Sequence, residues 1–134
     1  MTCNKAVSRA TRRAGFTLIE VMIVVAILVV LAGVGAVQYM HYLEDSKKSA
    51  AGIQIKTLST VVDAYQVKFG EPPGSLAALV GPEPDGSPSK LDGQKAILDP
   101  WNREYQYTPS GSRRNGRPEI WTIAPDGTTI GNWS

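Results

Sequence analysis

Hydrophobic and polar positions divide the chain into three stretches of different rhythm. From Val21 to Val37 the run VMIVVAILVVLAGVGAV contains no polar side chain. With Phe16–Glu20 ahead of it, the segment from Phe16 to Val37 makes a helix of roughly 33 Å, against a hydrocarbon core of about 30 Å, so it is long enough to span a bilayer. After Val37 the pattern becomes amphipathic: Ala51, Ile55, Leu58, Val62, Tyr65 and Phe69 recur at alternating steps of four and three, the stripe of a helix with one buried face. No proline falls between Phe16 and Phe69, so one nearly continuous helix is expected, softest at Gly52 and stopped by Gly70 and Pro72-Pro73.

Beyond Gly70 the rhythm changes again. Seven of the nine prolines lie between Pro72 and Pro109, and Asp85-Gly86 and Asp92-Gly93 mark turns. Ser75 is placed to cap a short helix over Leu76–Val80. Strand-like alternation appears at Glu104–Thr108 and Glu119–Ala124, joined by the polar loop SGSRRNGR, with a last extended piece over Thr128–Trp133. The pattern predicts an α+β fold: a long N-terminal helix packed against a small antiparallel sheet whose inner face meets the helical stripe. The expected organisation is a leader at 1–15, a membrane-spanning helix at 16–37, its amphipathic continuation at 38–70, and a loop and sheet region at 71–134.

Charge sharpens this division. The formal net charge of +2 hides an asymmetry, because Lys5, Arg9, Arg12 and Arg13 all precede Phe16 with no acid among them, leaving ten basic against twelve acidic side chains in the rest. That remainder has no basic surface of the kind that argues for nucleic acid. Four positive charges ahead of the apolar run place the N-terminus in the cytoplasm by the positive-inside bias. Cys3, the single cysteine, lies in the same basic segment, so loss of the leader leaves a product with no thiol.

Glu20 is the residue that changes the functional picture. A carboxylate among Phe16, Leu18, Ile19, Val21, Met22 and Ile23 is costly in a bilayer unless it is paired. No lysine or arginine lies within the apolar run. A free amine on Phe16, created by cleavage between Gly15 and Phe16, supplies a positive group at the same depth, and the helix N-terminus favours the negative charge. A Sec signal peptide has the same basic start and apolar middle, with Val34-Gly35-Ala36 as a small-residue cleavage site, and Arg12-Arg13 suits a twin-arginine signal. Neither export route benefits from Glu20, and the mature N-terminus separates the readings: Phe16 for one, Val37 for the other.

Arg12-Arg13-Ala14-Gly15-Phe16-Thr17-Leu18-Ile19-Glu20 with the apolar run behind it resembles the class III signal of type IV pilins and pseudopilins. Three downstream stretches are similar to major pseudopilins of type II secretion, the general secretion pathway protein G family: Ala64-Tyr65 to Val80, Leu98-Asp99-Pro100-Trp101 to Tyr105-Gln106-Tyr107, and Ile123-Ala124-Pro125-Asp126-Gly127 with Ile130-Gly131-Asn132-Trp133. The resemblance implies a pilin-like fold, cleavage after Gly15 by a prepilin peptidase, N-methylation of Phe16, and pairing of Glu20 with the Phe16 amine of an adjacent subunit. It also implies a non-enzymatic filament subunit in the bacterial inner membrane, with its C-terminal region in the periplasm. Such a subunit polymerises with itself and minor pseudopilins, is extracted by an inner-membrane platform protein and its ATPase, and helps push folded proteins across the outer membrane. The alternative within the wider family is a type IV pilin or minor pilin serving adhesion, motility or DNA uptake.

Two departures from the family pattern matter. Relatives bind calcium in an acidic, glycine-rich loop before the final strand. Here only Thr128-Thr129 separates Asp126-Gly127 from Ile130, so Asp126 is the single calcium candidate and reads first as a turn residue. Where many relatives have a proline near the end of the membrane helix this chain has Val37, and Gly33 and Gly35 are the positions for local unwinding. Trp101, Tyr105, Tyr107, Trp121 and Trp133 are expected in core and sheet packing. His41 is expected as a solvated helix residue, Asp63 and Asp99 form no acid/base pair, and Arg113, Arg114 and Arg117 are expected at a solvated loop tip. No nucleophile motif, phosphate loop or metal cluster is present in the sequence.

Overall fold

A computed structural model describes residues 15–133. The expected leader, with Cys3, Lys5, Arg9, Arg12 and Arg13, lies outside the described residues except for Gly15. Helix α1 runs from Leu18 to Phe69, as the absence of proline predicts, and Gly52 does not interrupt it. It ends where the sequence places its stop. Gly70 takes φ +81°, the left-handed geometry that only glycine adopts without cost, and its N–H donates to the Gln66 carbonyl at 2.8 Å.

The chain separates into two compact units, Met1–Tyr39 and Met40–Ser134. Among the described residues of the first unit, all are exposed, including the large side chains from Leu18 to Val37. Nothing within this unit covers them.

The second unit carries the core. Ala51, Ile55, Leu58 and Val62 are buried on one face of α1, as the stripe predicts, while Tyr65 and Phe69 are half-buried. Ile55, Leu58 and Val62 pack with Leu76, Leu79, Leu91, Ile97, Tyr105 and Ile120. The sheet is three-stranded and antiparallel in the order β1 (Gln106–Thr108), β2 (Glu119–Ile123), β3 (Thr129–Gly131). Tyr107 faces Ile120 across the first pair, and Thr122 faces Ile130 across the second. Along β2 the pleat turns Ile120 and Thr122 inward and Trp121 and Ile123 outward.

Several details depart from the sequence expectation. The Leu76–Val80 helix is a 3-10 turn over Leu76–Leu79, and Ser75 precedes it in extended geometry with no side-chain cap. Side chains three apart eclipse in a 3-10 turn, so this geometry sends both Leu76 and Leu79 into the core from only four residues. A second such turn, Gln94–Ile97, was not legible from periodicity; it follows Gly93 at φ +74° and buries Ile97. The first strand is shorter than predicted, because Glu104 reaches only an isolated bridge to Leu98. Of the five aromatics expected in core and sheet packing, Tyr105 is buried and Tyr107 packs against the core. The three tryptophans are half-buried: Trp101 donates from Nε1 to Glu44 at 3.1 Å, and Trp121 and Trp133 pair with ring centroids 5.9 Å apart.

Polar bonds fasten the sheet region to α1. Tyr105 Oη donates to Gln54 Oε1 at 2.5 Å, and Asn132 Nδ2 donates to Ser59 Oγ at 3.3 Å. Burial pushes the Tyr107 hydroxyl up to about 12 while it donates to the Pro73 carbonyl at 2.7 Å.

Candidate assembly site

At the start of α1 the sequence Thr17-Leu18-Ile19-Glu20 closes a reciprocal capping box. The Glu20 N–H donates to Thr17 Oγ1 at 3.3 Å, and the Thr17 N–H donates to Glu20 Oε2 at 3.1 Å. Two amide groups that a helix start leaves without partners are thereby satisfied, and the carboxylate sits where the helix dipole favours it. The sequence reading of Glu20 gave it no local partner. The threonine three residues before a glutamate, ahead of an apolar run, was the signal that could have found one. The box engages Oε2, leaving Oε1 for another donor.

Phe16 precedes the box and is 88% exposed. It lines an open hollow with Glu20, Val21, Val24 and Val25, so the aromatic ring and the carboxylate share one end of the helix. Gly15 lies just outside the helix. From there α1 is long and apolar enough to cross a membrane, and none of its most apolar window is buried within the chain. An apolar surface of this length, bare within the chain, requires lipid or other apolar helices around it. A carboxylate at its edge can then select a positive partner at one depth and no other.

Asp126 lies in the second unit, in the turn between β2 and β3. Its Oδ1 accepts the Thr128 N–H at 3.0 Å, which makes it the turn residue the sequence preferred. Its Oδ2 receives Lys48 Nζ at 2.5 Å. That contact, 78 positions apart in the chain, was not legible in the sequence. The lysine, with the Thr128 amide, holds the Asp126 carboxyl down to about 2. Among the described residues no three His, Cys, Asp or Glu side chains gather to hold a metal. Calcium requires six to eight oxygens, and the one carboxylate of this turn already faces an ammonium group. The donor set does not fit calcium.

Two further carboxylates organise loops. Asp99, expected to form no acid/base pair with Asp63, has a side chain with no exposed surface. Its Oδ1 accepts the backbone N–H groups of Trp101 at 3.0 Å and Arg103 at 2.9 Å, and its Oδ2 accepts Thr122 Oγ1 at 2.6 Å. Burial pushes its carboxyl up, but the Thr122 hydroxyl and the two backbone amides outweigh it and hold it below its ordinary value. Glu119 Oε1 accepts the Arg113 N–H at 2.5 Å and the Arg114 N–H at 3.1 Å, fixing the loop expected to be solvated. The Arg113 guanidinium lies 4.5 Å from the centre of the Trp133 ring, and Arg117 remains exposed.

The Type II secretion system (T2SS), protein G family model matches residues 38–133, and the Prokaryotic N-terminal methylation motif matches residues 10–36. The chain is 34% identical to Type II secretion system core protein G of Dickeya chrysanthemi, over 92% of this chain and 88% of that one. The corresponding Pseudomonas aeruginosa protein is 34% identical, over 91% of this chain and 96% of its own. In fold the chain is similar to the crystal structure of the major pseudopilin from the type 2 secretion system of enterohaemorrhagic Escherichia coli. The TM-score is 0.54 at 24% identity, covering 70% of this chain and 88% of that one.

Proposed function

This chain belongs to the type II secretion system protein G family, and from that premise we propose how it is processed and assembled as a structural subunit of the secretion pseudopilus. The subunit is anchored in a membrane by the apolar part of α1 and serves protein transport as part of a polymer. A type IV pilin or minor pilin is not favoured, because the stretch that would distinguish one, residues 38–133, matches protein G.

Prepilin peptidase cuts after Gly15 on the cytoplasmic side, and the new amine of Phe16 is methylated. Glycine at that point suits a protease cleft that needs an extended backbone free of side-chain obstruction. The C-terminal unit faces the periplasm, as the four basic residues before Phe16 favour. Cleavage leaves the capping box whole, since Thr17 and Glu20 both follow the cut. Glu20 Oε1 then meets the Phe16 ammonium of an adjacent subunit, while the apolar walls of neighbouring α1 helices cover one another. Minor pseudopilins join the fibre as partners. An inner-membrane platform and its ATPase lift subunits from the bilayer, and the growing fibre pushes folded proteins across the outer membrane.

The observation that carries this reading is a carboxylate in the first turn of a bare apolar helix, four positions after a residue that processing turns into an amine. Mass spectrometry of the mature chain is expected to find N-methyl-Phe16 at its start; a mature N-terminus at Val37, or an intact leader, refutes it. Glu20→Ala is expected to be processed and inserted normally yet to form no fibres in electron micrographs. Abundant normal fibres from that variant refute the pairing.

A further inference from the structure

The turn before the last strand is the place where the family pattern implies a bound cation, and its donors do not fit one. We propose that in this chain Lys48 is the cation of that turn: its ammonium group neutralises Asp126, ties the β2–β3 turn to α1, and makes the fold of the second unit independent of calcium.

The turn is built tightly around its one carboxylate. The Ala124 N–H donates to the Thr128 carbonyl at 2.8 Å and the Gly127 N–H to the Ala124 carbonyl at 2.9 Å. With Oδ1 of Asp126 held by the Thr128 N–H at 3.0 Å, the second oxygen is directed at α1, where Lys48 Nζ meets it at 2.5 Å. Lys48 is well placed for this, with its side chain only 27% exposed. Of the other carboxylates on this part of α1, Glu44 has partners of its own and Asp45 stands at longer range from the same lysine. Glu44 accepts from Trp101 Nε1 at 3.1 Å and pairs with Lys47 at 3.4 Å, while Asp45 lies 4.0 Å from Lys48. A calcium ion binding at Asp126 would have to share one carboxylate oxygen with an ammonium group already in contact with it, at strong like-charge repulsion. It would also find one side-chain carboxylate where such sites need several.

A lysine differs from a metal in being present at fixed stoichiometry whatever the surroundings hold. A calcium-held turn loosens when the ion is removed, whereas this one keeps its charge partner at any ion concentration.

The full chain in detergent micelles distinguishes the two. Melting curves and amide exchange at Gly127 and Thr128 are expected to superimpose in millimolar calcium, where extracellular sites fill, and in excess EGTA. A melting midpoint that drops in EGTA, or a stoichiometric calcium isotherm by calorimetry, overturns the proposal. Lys48→Met is expected to speed exchange at Gly127 and Thr128 by about two- to fivefold, the range of a partly exposed ion pair. The double variant Lys48→Asp with Asp126→Lys should return it toward the parent rate, which Lys48→Asp alone does not. Unchanged exchange in Lys48→Met, or no recovery in the double variant, refutes the clamp.

Discussion

At Asp99 a single buried carboxylate accepts three hydrogen bonds and holds the Leu98–Arg103 loop against β2. Asp99→Ala removes an acceptor that two backbone amides and a buried hydroxyl rely on, and is expected to cost about 2–4 kcal/mol. Asp99→Asn, which keeps an oxygen but loses the charge, should cost less; urea denaturation midpoints of the two variants check the order. Close approach matters at Gly131, where an added Cβ would lie 2.6 Å from the Trp133 ring. Gly131→Ala should therefore displace Trp133 from its pairing with Trp121, which tryptophan fluorescence will register as a shifted emission. The sequence drew attention to Glu20 because a charge in an apolar run is conspicuous. It did not reveal the partners of Asp99, Lys48 and Glu119, because those depend on loop closure, which no local pattern encodes. Thr17 was within reach of a spacing rule.

Among the elements, α1 was the most legible, since its apolar periodicity, its lack of proline and its glycine stop agree with one another. Gly52 is the weak position of its amphipathic half. A Cβ there would meet only Ile130 Cγ2 at 4.0 Å, an ordinary contact. Gly52→Ala should thus raise stability by about 0.5–1 kcal/mol, read as a higher denaturation midpoint. At the end of α1, Lys68 pairs with Glu83 and Asp85, each at 2.5 Å, and Lys90 stands 3.7 Å from Glu83. The Lys68 ammonium, with Ser87, holds both carboxyls below their ordinary values. Because the folded values lie below the unfolded ones near about 4, this tether contributes fully above that pH and fades as pH falls toward the folded values. Lys68→Met is expected to lower the melting midpoint at neutral pH and to matter progressively less on acidification below about 4. The 3-10 turns were harder to read, being too short to show a period, and the strands were found with frayed limits. Pleat alternation says which way a side chain points, not where pairing ceases.

At the scale of the whole chain, two kinds of sequence do different work. The first unit has an apolar surface that nothing within it covers, while the second closes its core around Ile55, Leu58 and Val62 with residues drawn from the turns and the sheet. Placing a bulky residue at Gly15 should leave a precursor that migrates about 1.5 kDa above the mature form on gels, given roughly 0.1 kDa per residue of leader. The same variant should retain the folded second unit, seen as an unchanged pattern of limited proteolysis.

The sheet's outer strands, β1 and β3, have three residues each. Such short margins expose few unpaired backbone groups, too few to recruit a fourth strand from a molecule crowded alongside. Lateral zippering of this sheet into cross-β aggregates is thereby discouraged, even where copies of the chain are crowded side by side.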